Sequence, residues 1–359
     1  MTSFTLADVQ ERTYKKRDAW WTVFLVDPLA GRLVVWTANH TSITPNQLTL
    51  GAGLLGLASA ACFAMAEWQW LVAGALLFHL SFVLDCMDGK IARLKGTGSV
   101  FGAWVDFVFD RIRFFVCMMA LLIGQWMYTG ELVYLLLAPL LTFFDLLRYL
   151  NGPQMGKIRR SMRRQLRAAV AGETERPEVE DAESTEVNPP AETEAEAAEG
   201  ETDSEDEENS GYRDSGLQPA AARQVVFVEE ILRENPQLTA TEVRGMVAGN
   251  NGNGDGETHV IDIHGGFFQK FSWYARVRLF LLRHRVRPHL FSGIEFEMFV
   301  CVVAPLTAVV SLFTPWNSLI VPVAVFSSAA LMLFETILVY KLWLATRSFN
   351  EEMRILTGE

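Results

Sequence analysis

The chain has 359 residues, half of them apolar, and its apolar runs are too long for a water-soluble core of this size to absorb. The formal net charge of −11 is local: residues 173–208 hold seventeen Asp or Glu against one Arg, which leaves the rest of the chain at +5. Composition therefore excludes a wholly soluble protein, since several stretches approach the ~20 apolar residues that cross a bilayer. Four cysteines, Cys62, Cys86, Cys117 and Cys301, lie in apolar segments without a C-x-x-C pair. They read as small buried hydrophobes, not as disulfides or zinc ligands.

Residues 1–19 form a polar, frayed N-terminus. No cleavable signal peptide is expected, because Lys15-Lys16-Arg17 precedes a Trp-rich segment and not a clean apolar core. Trp20 to Ala38 mixes Trp20, Trp21, Phe24, Leu25 and Trp36 with Asp27 and Arg32, too short and polar to span. It suits an amphipathic helix in the membrane interface, bent at Pro28. Thr44-Pro45 then pairs an N-cap with a residue tolerated in the first helical turn. Four spans follow: Leu48–Ala66, Trp70–Leu84 running on into an acidic motif, Val100–Trp126, and from Gly130 to Leu150. Residues 20–150 thus hold the interfacial helix and the first four spans.

Beyond them, 151–170 is a basic juxtamembrane helix, with six basic residues and no acid between Lys157 and Arg167. Residues 171–215 form an acidic linker expected to be disordered. A small cytoplasmic segment, 216–265, shows two short helical patterns within Ala220–Ala248, the second opened by a Thr239-Ala-Thr-Glu242 capping box. Its Asn251-x-Asn253-x-Asp255-Gly256 loop, with Asp262, faintly resembles a calcium loop. It lacks the leading Asp and the bidentate Glu, so it reads as a flexible turn. Residues 266–292 are Arg-rich and interfacial, 293–346 hold the last two spans (Glu297–Phe313 and Trp316–Tyr340), and 347–359 form a tail.

The expected fold is all-α: a polytopic membrane protein of six transmembrane helices with an N-terminal interfacial helix and a partly disordered cytoplasmic insert. Basic residues occur before span one, between two and three, after four and after six, whereas loops 67–69, 128–131 and 314–318 hold no Lys or Arg. The positive-inside rule places both termini on the cytoplasmic side, along with the carboxylate end of spans two and three.

That carboxylate end carries the chemistry. It reads D85-C-M-D88-G89-K-I-A92-R93, eight residues, then G102-A-W-V-D106-F-V-F-D110. Ionisable groups next to a membrane are costly and read first as a functional site. Helical spacing puts Asp85, Asp88 and Ala92 on one face, and Gly102, Asp106 and Asp110 on one face of the next helix. Carboxylates so arranged repel, and hard divalent cations would neutralise them. The alternative is ion pairing with Lys90, Arg93, Arg111 or Arg113. Asp145 and Arg148 are three apart and can pair with each other. His79 reads as a satisfied core histidine.

The pattern D-x2-D-G-x2-A-R-x8-G-x3-D-x3-D, with Thr44-Pro-Asn46-x-Leu-Thr49 before it, resembles the CDP-alcohol phosphatidyltransferase family (class I). The resemblance covers about 20–150 and 290–345. It implies transfer of a phospho-alcohol group, in the commonest members a phosphatidyl group, from a CDP-linked donor to an alcohol, with release of CMP, in phospholipid biosynthesis. Two Mg2+ (or Mn2+) ions per active site are implied. By position, Asp85, Asp88 and Asp106 resemble the ligands of one ion, and Asp85, Asp106 and Asp110 those of the other. Asp110 resembles the base that deprotonates the acceptor.

Asn46, Gln47, Leu48, Thr49, Gly89, Ala92, Arg93, Ser99 and Gly102 resemble donor contacts, and Arg111, Arg113 and Arg148 are candidate acceptor contacts. CDP-diacylglycerol, a small alcohol or polyol, membrane lipids and a second copy in a homodimer are the implied partners, and no nucleic acid is expected. The implied location is the cell membrane, multi-pass. The physical reading agrees, because paired cations would cancel the charge of an anionic donor and stabilise the leaving CMP. Arg93 matches phosphate geometry, and Gly89 and Gly102 let backbones approach.

Three other readings compete. A family member could use a soluble CDP-polyol or CDP-aminoalcohol. An aspartate-rich membrane prenyltransferase is opposed by the Gly89, Ala92-Arg93 and Gly102 positions. A cation transporter would spread its carboxylates over several spans near mid-membrane.

Overall fold

The computed structural model describes residues 4–171, 224–228, 231, 242, 243, 245, 258–261, 272–313 and 318–357. The acidic linker, the Thr239–Thr241 part of the capping box and the 250–256 loop lie outside the described residues. The chain divides into two compact units. The first takes the residues up to Leu150 together with Arg285–Glu335, and the second takes most of the remainder.

The first unit opens with α1 (Leu6–Thr13), where the sequence led us to expect frayed chain. A capping box makes the helix: the Thr5 hydroxyl accepts from the Asp8 amide at 3.2 Å, and the Asp8 carboxylate accepts from the Thr5 amide at 2.7 Å. A π-helical turn, Thr22–Val26, leads into α2 (Asp27–His40). Pro28 therefore does not bend the middle of a helix. It stands in the first turn of α2, and the wider π turn before it absorbs the carbonyl that its ring cannot bond. Val26, Ala30 and Val34 are buried, whereas Phe24, Leu25, Leu29 and Trp36 are exposed, so this segment is apolar on both its packed and its outward faces.

Next come α3 (Pro45–Ala64), α4 (Trp68–Lys95), α5 (Val100–Thr129) and α6 (Val133–Ala171). Thr44 caps α3 with Pro45 in its first turn, as expected, and Gln47 completes a capping box. Both α4 and α5 pack on α3. Ser81 donates to the Ala52 carbonyl at 2.7 Å, and Cys117 donates to the Gly56 carbonyl at 3.2 Å. At Gly124 of α5 a Cβ would stand 2.7 Å from the Phe63 carbonyl oxygen, so the two helices touch backbone to backbone there.

The helix α8 (Gly293–Leu312) is a composite. It is α-helical over Gly293–Met298, π-helical over Phe299–Val303, α-helical over Ala304–Leu306 and 3₁₀ over Thr307–Leu312. Here again a π segment precedes a proline, Pro305. The last helix, α9, runs Ile320–Thr357.

Among the described residues, five helices are long and apolar enough to cross a membrane: α3, α4, α6, α8 and α9. The sixth expected span is α5, 30 residues long, with the apolar run Phe114–Ile123. Leu50, Leu54 and Leu57 of α3 and Leu136, Leu140 and Phe143 of α6 point outward, as lipid contact requires.

Two boundaries differ from expectation. The basic segment is no separate helix but the continuation of α6, and the C-terminal tail continues α9. The reason is a second apolar stripe on each. Met162, Leu166 and Val170 of α6 and Ala345 of α9 join Phe227 and Ile261 in a core of the second unit, with Leu342, Phe349 and Met353 against it. This unit also adds one short strand pair to an otherwise helical chain. Gln224–Phe227 (β1) pairs in parallel with Thr258–Ile261 (β2), in register Gln224↔Thr258 to Phe227↔Ile261. β1 lies where a helical pattern was read, and its Val225-Val226 pair, like Val260-Ile261 opposite, is β-branched. The Arg-rich segment contains α7 (Ser272–Arg283).

Candidate active site

The motif residues sit on α4 and α5. Carboxylate oxygens of Asp85, Asp88 and Asp106 lie within 4.8 Å of one another. Asp85 and Asp88 are buried and Asp106 is half-buried. Three hard oxygen donors converging in this way fit a Mg2+- or Mn2+-type cation. Asp110 is not in this group. Arg113, one turn further along α5, donates through Nη2 to Asp110 Oδ1 at 2.5 Å and through Nη1 to Asp85 Oδ1 at 2.9 Å. Part of the alternative reading therefore holds, since one arginine pairs with two of the four aspartates.

The expected donor contacts separate into groups. Thr49 donates to Asp88 Oδ2 at 2.5 Å, which ties α3 to the motif. Leu48 is buried in the core, and Asn46 and Gln47 are exposed at the start of α3. The Gln47 side chain caps, accepting from the Thr44 amide at 3.0 Å. Ser99 caps α5 by accepting from the Gly102 amide at 3.0 Å, and a Cβ at Gly102 would lie 2.9 Å from that hydroxyl. Ala92 and Gly89 are half-buried and Arg93 is exposed. The nearest group to a Cβ at Gly89 is the Arg93 guanidinium, 3.9 Å away, so space is open above this turn.

The three candidate acceptor arginines all meet carboxylates. Arg111 pairs with Glu297 at 2.6 Å and with Asp145 at 3.3 Å, and its guanidinium stacks 3.9 Å from the centre of the Tyr149 ring. Arg148 pairs with Glu335 at 3.0 Å. Asp145 and Arg148 thus each find a partner on another helix. Sequence reasoning passed over Glu297 and Glu335, although a carboxylate inside an apolar span was the available signal. His79 is not a satisfied core histidine: its ring packs edge-on to Trp21 at 6.0 Å, and its buried Nδ1 has no hydrogen-bond partner.

A second charge cluster was not foreseen. Lys90, in the middle of the motif, turns to the other side of α4 and pairs with Asp27 at 3.1 Å. Arg285 meets the same carboxylate at 3.3 Å and lies 4.8 Å over the Tyr14 ring, while the Tyr14 hydroxyl donates to the Asp27 carbonyl at 2.8 Å. Arg285 has a positive φ of 60°, a strained value for a residue with a side chain. Parallel bridging holds the turn: the Asp18 amide donates to the Arg285 carbonyl, and the Arg287 amide to the Asp18 carbonyl, each at 2.9 Å. Burial raises the pKa of Tyr14 above its ordinary value, with Asp27 adding to the shift and Arg285 opposing it. All four cysteines are free, Cys117 and Cys301 buried and the other two half-buried.

Span-length apolar helices and a carboxylate cluster suited to a divalent cation define an integral, multi-pass membrane protein with a metal-type site. Residues 42–164, about a third of the chain, match the model of the CDP-alcohol phosphatidyltransferase family. Curated relatives match over parts of their length. The chain is 38% identical over 78 residues to the "Bifunctional IPC transferase and DIPP synthase" of Aquifex aeolicus, covering 22% of this chain and 17% of that one. It is 34% identical over 88 residues to the "Phosphatidylinositol phosphate synthase" of Corynebacterium glutamicum, covering 24% and 37%. With the "Archaetidylinositol phosphate synthase" of Methanothermobacter thermautotrophicus it shares 28% over 109 residues, covering 30% and 53%. The matched stretch therefore spans about half or less of each of these relatives.

Proposed function

We propose that this protein is a membrane-embedded, divalent-metal-dependent enzyme that transfers a phosphatidyl group from a CDP-linked donor to an alcohol, releasing CMP. One observation carries the reading: carboxylate oxygens of Asp85, Asp88 and Asp106 within 4.8 Å, inside the matched family segment. Cations held by these residues and by Asp110 would cancel donor charge and polarise the phosphoryl oxygens. Arg93 binds the donor phosphates over the open turn at Gly89. Asp110 takes the acceptor's hydroxyl proton onto its carboxylate as that oxygen bonds to the lipid-bearing phosphorus, and the P–O bond to CMP breaks.

The donor we propose is CDP-diacylglycerol. The similarity to phosphatidylinositol phosphate and archaetidylinositol phosphate synthases favours an inositol phosphate, a phosphorylated polyol, as acceptor. Six spans, with α5 as the third, put both termini and the motif on the cytoplasmic side of the cell membrane, with a homodimer as the assembled form. The pattern of basic residues supports that orientation.

The test is CMP release from purified protein with Mg2+. CDP-diacylglycerol would be paired with inositol phosphate, inositol or glycerol phosphate, and soluble CDP-alcohols with diacylglycerol. CMP release with CDP-diacylglycerol and inositol phosphate is the expected result. Release only from soluble CDP-alcohols moves the donor assignment, and turnover of isoprenyl diphosphates without CMP release replaces the reading.

A further inference from the structure

Arg113 lies outside the family pattern, yet its guanidinium joins two motif carboxylates. Its side chain is 6% exposed. One guanidinium reaches Asp85 on α4 and Asp110 on α5, with a separate Nη for each. Only a planar fork can do this, because the point charge of a lysine cannot fix two acceptors in one plane.

The stem of Arg113 runs across α3 at Gly56. A Cβ there would stand 2.7 Å from Arg113 Cγ and 2.9 Å from Cδ. The same level of α3 is pinned on one side by Ser81 and on the other by Cys117. Gly56 is thus the berth that lets the arginine pass between packed helices.

We infer that Arg113 is a positioning residue, not an acceptor contact: it braces Asp110 against Asp85 and so sets the base relative to the cation site, with Gly56 as its seat. The inference rests on the proposed transfer reaction. The Arg113 charge between Asp85 and Asp110 eases the repulsion of these two carboxylates when no cation is bound. The brace fixes one oxygen each of Asp85 and Asp110, so the remaining geometry of both carboxylates is set before substrate arrives.

The experiment uses full-length protein in detergent. Arg113→Lys keeps the charge and loses the fork. It should lower kcat by about a hundredfold while leaving the acceptor KM within threefold. A raised acceptor KM with unchanged kcat would mark an acceptor contact and overturn the brace. Gly56→Ala should lower kcat in an otherwise native chain and have no further effect in an Arg113→Met background, where the stem it displaces has lost its head group. Additive losses would overturn the shared seat.

A second readout needs no turnover. The thermal midpoint is measured in EDTA and in saturating Mn2+. The Arg113→Met variant should lose stability mainly in EDTA, so that Mn2+ raises its midpoint more than it raises that of the native chain. Equal shifts in the two proteins would overturn the brace alone. No Mn2+ shift in the native chain, together with no CMP release, would instead remove the transfer reading. If Arg113→Met does not fold, Arg113→Lys and Gly56→Ala carry the test.

Discussion

Two buried charge clusters lie on opposite faces of α4, and they are settled in opposite ways. Lys90 is about 140° around the helix from Asp85. On its side one carboxylate, Asp27, meets two cations, Lys90 and Arg285. On the motif side four carboxylates gather, and Arg113 pairs with two of them, Asp85 and Asp110. The first cluster is closed by the chain itself, as buried ions must be when nothing else will pair them. The second is left acidic, which is the state a cation-binding site needs. A buried charge therefore marks a ligand site only when the fold leaves its account open.

The largest effects should follow from changes on the acidic side. Asp110→Asn should reduce transfer by about 10³-fold or more, the scale of a lost general base, while metal-dependent binding of the CDP donor stays within threefold. Normal turnover in that variant would remove the base role. EDTA should abolish CMP release, and added Mg2+ or Mn2+ should restore it. Activity that survives exhaustive chelation would show that the four aspartates are neutralised by protein alone.

On the closed side the effect should be on stability. Lys90→Met leaves Asp27 with Arg285 alone, and Asp27→Asn leaves the buried Lys90 without its carboxylate, each change costing about 3 kcal/mol by thermal unfolding in detergent. The double variant should cost clearly less than the two singles together. Additive costs would mean that the pair does not couple.

The smallest effect belongs to an exposed carboxylate. The pKa of Asp8 is held below its ordinary value, first by the Thr5 hydroxyl and then by the Thr5 amide. A depressed carboxylate stabilises the fold above its unfolded value and loses that contribution as pH falls through the folded one. Protection against hydrogen exchange at the start of α1, relative to the unfolded rate at the same pH, should therefore fall on acidification below the ordinary carboxylate range. Thr5→Ala should make that exchange fast at every pH.

Much of this was legible in the sequence. The starts of α3, α4 and α5 follow from apolar runs and from Thr44-Pro45, and the motif spacing brought Asp85, Asp88 and Asp106 together as helical periodicity requires. What was missed has physical causes. The far parts of α6 and α9 read as surface helix and tail because their basic residues outnumber a thin apolar stripe that only a second core reveals. Asp145 and Arg148 satisfy the i,i+3 rule, but that rule is blind to Glu335 and Arg111 on other helices. Lys90 sits inside the motif by position and outside it by direction. The capping box at Thr5 was present in T-x-x-D, yet short polar helices carry no periodic signal to draw the eye.

The contact at Gly124 bears on how this chain can drift. A Gly124→Leu change would make α5 more apolar and would pass any test of membrane compatibility. It would also drive a side chain into the Phe63 carbonyl and the Ala64 backbone, 2.7 and 3.0 Å from where its first carbon must lie. Lipid-facing Leu50 or Leu54 can be exchanged for any oily residue, whereas at position 124 no side chain at all is tolerated. Inside the bundle, volume and not polarity sets which substitutions can persist.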